Sequence, residues 1–424
     1  MALLALLVAG DARADDALAE KAARFRQALV EHHVSREGVL LYRMDAERGA
    51  QDLERGTYPP SADLPTYTGL WAATACLRAR VDSEPAQALA DAERALAGLE
   101  LLMRVTGVRG LLARSVRRDA GVATDGFSGR WFRGATGFEN WSWRGDASHD
   151  QYANGLLPAV AACAQAFPER ARGLVTDFAA HLLDHDLQLI DPDGRRTRFG
   201  DLSPRSGLGF NSIAQITAYA AFALAAELDP DPRWARQRDR LRDGDRVLAR
   251  GRRTNLRVLG ITNHSNDLMA WNLYRVLVPL ARATGDPGLA DLRHGMQRAW
   301  LRVRPDGNAY FALALCAIEP PSCDRSAAAD ARQLLERFPE DKRQRSAYPG
   351  LDALPRWPIP GRKAARLARA AVPIELRPPS SFEWKSSPYR LEGGTDPSIQ
   401  YTGLDFLAAY WLWVAHASGR PLAP

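Results

Sequence analysis

The stretch TNHSNDLMAWNLYRVLVPLARATGDPGLADLRHGMQRAWL, residues 262–301, reads as two helices, 262–284 and 286–301, with a single-residue break at Gly285. A break that short forces the second helix to run back along the first. The same reading extends over the whole chain and predicts helices at 15–34, 64–81, 84–107, 147–166, 168–188, 208–228, 231–249, 308–317, 325–337 and 400–418. Apolar residues recur at helical spacing, as in Phe178, Leu182, Leu183 and Leu187, with Pro and Gly in the gaps. Asp63, Ser83, Ser148 and Asp286 stand as capping residues at helix starts. Strand signals are sparse, apart from a hairpin over 189–201.

The connections decide the architecture. Links 82–83, 167, 229–230, 285 and 318–324 are short, whereas 35–63, 108–146, 189–207, 250–261, 302–307 and 338–399 are mostly longer, and the two kinds alternate. Tight turns therefore gather on one rim and long loops on the other. Six such hairpins closed in a ring make an all-α fold, an (α/α)6 toroid. The expected organisation is a single toroid over 15–424, with 338–399 as a long strap or lid.

With 424 residues, 46% hydrophobic and 25% charged, the chain has ordinary globular composition. Its 56 basic residues outnumber 50 acidic ones, but they are scattered, so nucleic acid is not an expected partner. Only four of the basic residues are Lys and 52 are Arg. No apolar run after the first ten residues approaches the ~20 residues of a membrane span. The run Leu3–Ala9 followed by Ala12-Arg13-Ala14 reads as a truncated signal peptide over 1–14, placing the mature chain in an extracytoplasmic compartment, periplasmic or secreted. There Cys316 and Cys323, bracketing Pro320-Pro321, are expected to pair, while Cys76 and Cys163 read as core residues.

Each helix that follows a long link opens on a polar or aromatic cluster, and these openings converge on one mouth. The richest is Trp141-Ser-Trp-Arg-Gly-Asp-Ala-Ser-His-Asp-Gln151. Asp146 and Asp150 share a helical face, and clustered carboxylates are what acid–base cleavage of a glycosidic bond needs. Capping by Asp146, with Asp150 as a first-turn charge, is the plain alternative. Trp141 and Trp143 would stack on sugar rings, and Arg144, His149 and Gln151 would bind substrate. A second cluster supplies Asn263, His264 and Asp267, where capping again competes. Tyr67, Asn211, Tyr310 and Tyr401 lie on the same rim, and Trp384 lies in the strap. The sequence carries no dinucleotide, P-loop, HExxH or GxSxG motif, so no cofactor and no metal is expected.

In this alternation of hairpins and polar helix starts the chain resembles the six-hairpin glycosidase superfamily, which includes glucoamylase-like enzymes, unsaturated glucuronyl hydrolases and several (α/α)6 polysaccharide lyases. The resemblance implies an oligo- or polysaccharide substrate. On the hydrolase reading, Asp146 or Asp150 is the general acid and Asp267 or the other aspartate the base. On a lyase reading, Asn263 and His264 would neutralise a uronate, with Tyr152 or Tyr310 moving the proton. A non-catalytic glycan-binding toroid is the third reading.

Overall fold

The computed structural model describes residues 2–46, 53, 61–118, 130–206, 212–255, 257, 262–357 and 366–419, with side chains from residue 16 onward. Six helices that are apolar all round form the inner ring: α2 (Leu64–Val81), α5 (Leu157–Cys163), α7 (Ile213–Leu228), α10 (His264–Thr284), α12 (Ala309–Ile318) and α14 (Leu404–Ala417). Each packs on the next in that order, and α14 returns to α2. Helices without a polar stripe are stable only when surrounded, which puts these six inside.

The outer helices are α1 (Ala2–His32), α3 (Pro85–Arg104), α6 (Pro168–Asp184), α8 (Pro232–Asp239), α11 (Leu289–Val303) and α13 (Arg325–Glu336). Each buries one stripe, such as Ala328, Ala331 and Leu335 of α13. This is the (α/α)6 toroid expected from the connections.

Two expected helices are interrupted. The one over 147–166 is α4 (His149–Gln151), a π turn (Tyr152–Leu156) and α5. Pro158 has no N–H for the carbonyl of Asn154, and the wider turn falls just ahead of it. The one over 231–249 becomes α8, a π turn (Arg240–Gly244) and α9 (Val247–Arg250).

Side chains fill the middle of the ring among the described residues. Helix α10 reaches across to α5 and its π turn. Asn272 Nδ2 donates to Asn154 Oδ1 at 3.0 Å, and Tyr310 Oη donates to Asn272 Oδ1 at 2.6 Å. Gly69 of α2 meets Gly155 so closely that a Cβ on Gly69 would lie 2.3 Å from the Gly155 carbonyl.

The β structure sits in the long links. Strands β2 (Ser115–Arg117), β4 (Ser142–Arg144) and β3 (Trp131–Arg133) form an antiparallel sheet in that order. Strands β5 (Gln188–Ile190) and β6 (Arg196–Asp201) form the expected hairpin. Strand β1 (Arg43–Asp45) pairs with β7 (Ile399–Tyr401) and ties the two ends of the chain together.

The expected disulfide Cys316–Cys323 is present. Cys76 and Cys163 were read as unpaired core residues; they form a second disulfide between α2 and the end of α5, with Cα atoms 5.3 Å apart. Both are buried, but the neighbouring inner helices bring them side by side across 87 residues, which no local spacing reveals. Among the described residues, no helix is long and apolar enough to cross a membrane.

Candidate active site at the mouth of the ring

The turn that opens α4 is built tightly. Gly145 lies against the Phe132 ring, where a Cβ would come within 2.6 Å. Asp146 follows with φ 63°, a left-handed conformation that costs a non-glycine residue roughly 1–2 kcal/mol. Its backbone N–H donates to Asp191 Oδ2 at 3.0 Å, and its Oδ1 accepts from the Arg198 N–H at 2.7 Å. The β5–β6 hairpin thus fixes both the backbone and the carboxylate of Asp146. Beneath it Asp191 is held by Arg130 at 2.6 Å, and burial keeps its carboxyl above the ordinary range.

Arg114 joins this turn to the start of α2. Its Nε donates to the Ala62 carbonyl at 2.9 Å, Nη1 to the Asp146 carbonyl at 3.1 Å and Nη2 to Asp63 Oδ1 at 3.2 Å. Gln151 Nε2 also donates to Asp63 Oδ1, at 2.8 Å. Asp63 therefore does not cap α2, as its position suggested: its side chain makes no cap bond and turns toward α4. One carboxylate oxygen is held by two donors.

The strap closes this corner. Tyr67 Oη donates to Ser381 Oγ at 2.7 Å, Tyr42 stacks on Tyr67 at 4.2 Å, and Lys385 Nζ lies 5.0 Å over the Tyr67 ring. Burial pushes the Tyr67 hydroxyl up to about 12, with Lys385 pulling the other way. Burial opposes the charge on Lys385, yet Tyr67 and Asp63 outweigh it and raise its pKa. Arg144 is held below its usual range by burial and by the nearby Arg114, and its buried Nε has no hydrogen-bond partner. The corner thus collects Asp63, Asp146, Arg114, Arg144, Tyr67 and Lys385.

The other residues singled out in the sequence fall into three groups. Asp150, on the first turn of α4, is partly exposed, with His149 Nε2 at 3.4 Å. His149 Nδ1 is bonded to the Phe199 carbonyl at 2.9 Å.

A second group is buried and engaged. Trp143 is fully buried, stacked on Phe132 at 4.8 Å, with its indole N–H on the Arg133 carbonyl. Trp141 is buried against Arg118, so neither indole is the open sugar platform their pairing suggested. Trp384 donates to the Asp405 carbonyl at 2.6 Å from inside the strap. Gln151 completes a capping box with Ser148, the true cap of α4. Tyr152 and Tyr310 are buried, Tyr152 on Gly110 and Leu112 and Tyr310 on Asn272. Tyr401 accepts from Gln344, and Asn211 lies outside the described residues.

The third group belongs to α10. Asn263 caps the helix through the Ser265 N–H at 3.1 Å. Asp267 is buried and paired to Arg302 at 2.8 Å. Among the described residues its carboxylate is bonded by Arg302, whereas Arg114 and Gln151 hold Asp63 and the Arg198 N–H holds Asp146. His264 instead lines a cavity of about 550 Å³ with Arg257, Arg302, Trp357, Arg369 and Tyr389. Burial keeps its imidazole below the ordinary range, against the pull of Asp306 and Asp267.

Sequence reasoning missed Asp63 as a site residue, Arg114, Lys385 and Tyr389. One signal was available for Lys385. In a chain with 52 Arg and four Lys, Lys21 and Lys342 are buried and Lys385 sits in this corner, so lysine is kept for enclosed places.

The inner ring of six helices, their outer partners and the loop-bearing mouth make this an (α/α)6 toroid. The fold is similar to that of the glycoside hydrolase family 76 mannosidase Bt3792 from Bacteroides thetaiotaomicron, with a TM-score of 0.51 and 10% identity over 95% of this chain and 100% of that one. It is also similar to a family 76 glycoside hydrolase from a bovine Bacteroides thetaiotaomicron strain, with a TM-score of 0.52 and 9% identity over 95% of this chain and 78% of that one. No protein-family model matches the chain, and no curated protein matches its sequence.

Proposed function

We propose that the chain is an exported glycoside hydrolase whose reacting groups are the carboxylates at the α2–α4 corner of the mouth. The observation that carries this reading is the bridge that Arg114 makes from the Asp63 carboxylate to the main-chain carbonyl of Asp146, with Asp150 on the adjacent helical turn. Hydrolysis of a glycosidic bond needs a proton donor and a carboxylate on opposite sides of the bond. Asp63, with its Oδ1 held by Arg114 and Gln151, is the carboxylate assigned to orient water. Asp146 or Asp150 supplies the proton. Asp267, consumed by Arg302, gives up the base role that its sequence position suggested. The lyase reading loses support because Tyr152 and Tyr310 are both buried and hydrogen-bonded away from the mouth.

The toroid is shared with family 76 enzymes, one of them a mannosidase, so manno-oligosaccharides are the first substrates to try. Two disulfides and the apolar segment ahead of Asp15 support export. The test is sugar release by the wild type and by Asp63→Asn, Asp146→Asn and Asp150→Asn, each with its melting temperature. A catalytic carboxylate loses turnover by roughly 10² or more while the fold holds. Near-normal turnover in all three would sink the assignment. Saturable glycan binding with no product from any substrate would favour a non-catalytic toroid.

A further inference from the structure

We propose that the cavity of about 550 Å³ between the start of α10, the end of α11 and the strap binds a uronic acid unit of a glycan, at a place separate from the hydrolytic corner. Its size falls within the ~300–1,000 Å³ of small-ligand sites. Its chemistry is that of binding rather than cleavage, because each described carboxylate near it is engaged by an arginine. Asp267 is paired to Arg302, and Asp306 takes both Arg257 and the Tyr389 hydroxyl. Glu383, further along the strap, is paired to Arg377.

The cations are not all matched. Three guanidiniums, Arg257, Arg302 and Arg369, line the cavity and face only the two carboxylates Asp306 and Asp267. Among the described residues Arg257 engages Asp306 through Nη2, with no bond from Nε or Nη1. Arg302 uses Nε and Nη2 on Asp267 and Thr254 and leaves Nη1. The exposed Arg369 side chain has no hydrogen bond or ion pair with any described residue. His264 adds no charge at neutral pH, since its burial favours the neutral ring. The surplus is therefore one positive charge, presented by planar forks that suit a carboxylate.

The remaining walls fit a sugar ring. Trp357 is partly buried, and Leu367 and Pro305 add apolar surface. Leu301 stands at the rim with 72% of its surface exposed, one of two large apolar side chains so exposed among the described residues. A ligand with one carboxylate, an apolar ring face and hydroxyls answers all three features. A phosphate dianion would bring one negative charge too many, and a neutral sugar would leave Arg369 unmatched.

Isothermal titration of the full chain tests this directly, and because binding requires no turnover it stands or falls apart from the hydrolase reading. The probes are digalacturonate, mannobiose and inorganic sulfate. The expected result is saturable binding of digalacturonate, at least tenfold tighter than mannobiose. It should weaken at least tenfold in Arg369→Ala and in Trp357→Ala, and be unchanged in Asp63→Asn. Arg369 is exposed, so its replacement leaves the fold intact, which the melting temperature verifies. Three results would overturn the proposal: no digalacturonate binding, equal binding of the neutral disaccharide, or sulfate displacing digalacturonate at equal concentration. The last would mean a simple anion site with no reading of the sugar.

Discussion

Replacing Cys76 and Cys163 with alanine removes a crosslink that closes a loop of 87 residues between two inner helices. In the chain-entropy description, a loop of that length restricts the unfolded state by about 4–5 kcal/mol, whereas the Cys316–Cys323 loop, with a separation of 7, is worth only about 2 kcal/mol. Unfolding entropy near 2.1 cal/mol/K per residue, summed over roughly 400 residues, converts these into shifts of about 5 °C and 3 °C in melting temperature. The assay is scanning calorimetry of the oxidised protein, Cys76→Ala/Cys163→Ala and Cys316→Ala/Cys323→Ala under identical conditions. The ordering is the sharp part, because all four positions lose only a sulfur, and loop length is the main difference between the pairs. Equal shifts, or a larger one for the short loop, would refute the reasoning. Free-thiol labelling of Cys76 and Cys163 in denatured, unreduced protein would remove its premise.

Two further outcomes concern buried charge. Lys342 Nζ lies 2.7 Å from Asp405 Oδ2 and both side chains are buried, so Lys342→Met strands a carboxylate and should cost about 3–5 kcal/mol, read by denaturant unfolding. His33 and His181 are held neutral by burial, each pushed down to about 4 from the ordinary 6.5. Their contribution to stability is therefore complete above pH 6.5 and is lost as pH falls toward 4, because the unfolded chain takes up those protons first. Together they give a slope of about 3 kcal/mol per pH unit between those limits, checked by urea midpoints from pH 7 to 4.5. A midpoint flat across that range would show that neither ring is held neutral.

The ring was legible because its two signals are local. Helices such as Ile213–Leu228 are apolar on every side, and the links alternate in length, so inner and outer helices separate without any knowledge of contacts. The three-stranded sheet was not legible, since each strand is three residues long and its partners come from distant parts of one link. The site was half legible for a related reason. Asp146 and Asp150 stand out beside a helix start, but Asp63 also reads as a cap, and only Arg114, 51 residues on, turns it toward α4. Asp267 looked equally available, and Arg302, 35 residues on, is what withdraws it. Trp143 carried the composition of a sugar platform, yet its place on the central strand β4 buries it. Residue type is written locally, whereas its partner is decided by the closed ring.

The seam between the two ends of the chain bears on synthesis. Lys21 of α1 donates to the carbonyls of Leu335, Glu336 and Phe338, partners more than 300 residues away, and α1 packs on α14. β1 likewise waits for β7. During translation α1 is thus made well before the helix it docks on, and the apolar face carrying Leu18, Ala22, Phe25 and Leu29 must stay uncovered until α14 has been made. The nascent polypeptide behaves as an unfastened bracelet: its hairpins can form one by one, but the clasp shuts only once β7 and α14 have left the ribosome. A ribosome stalled before residue 404 should hold a chain that proteases cut freely within α1, and release of the completed chain should abolish that cleavage.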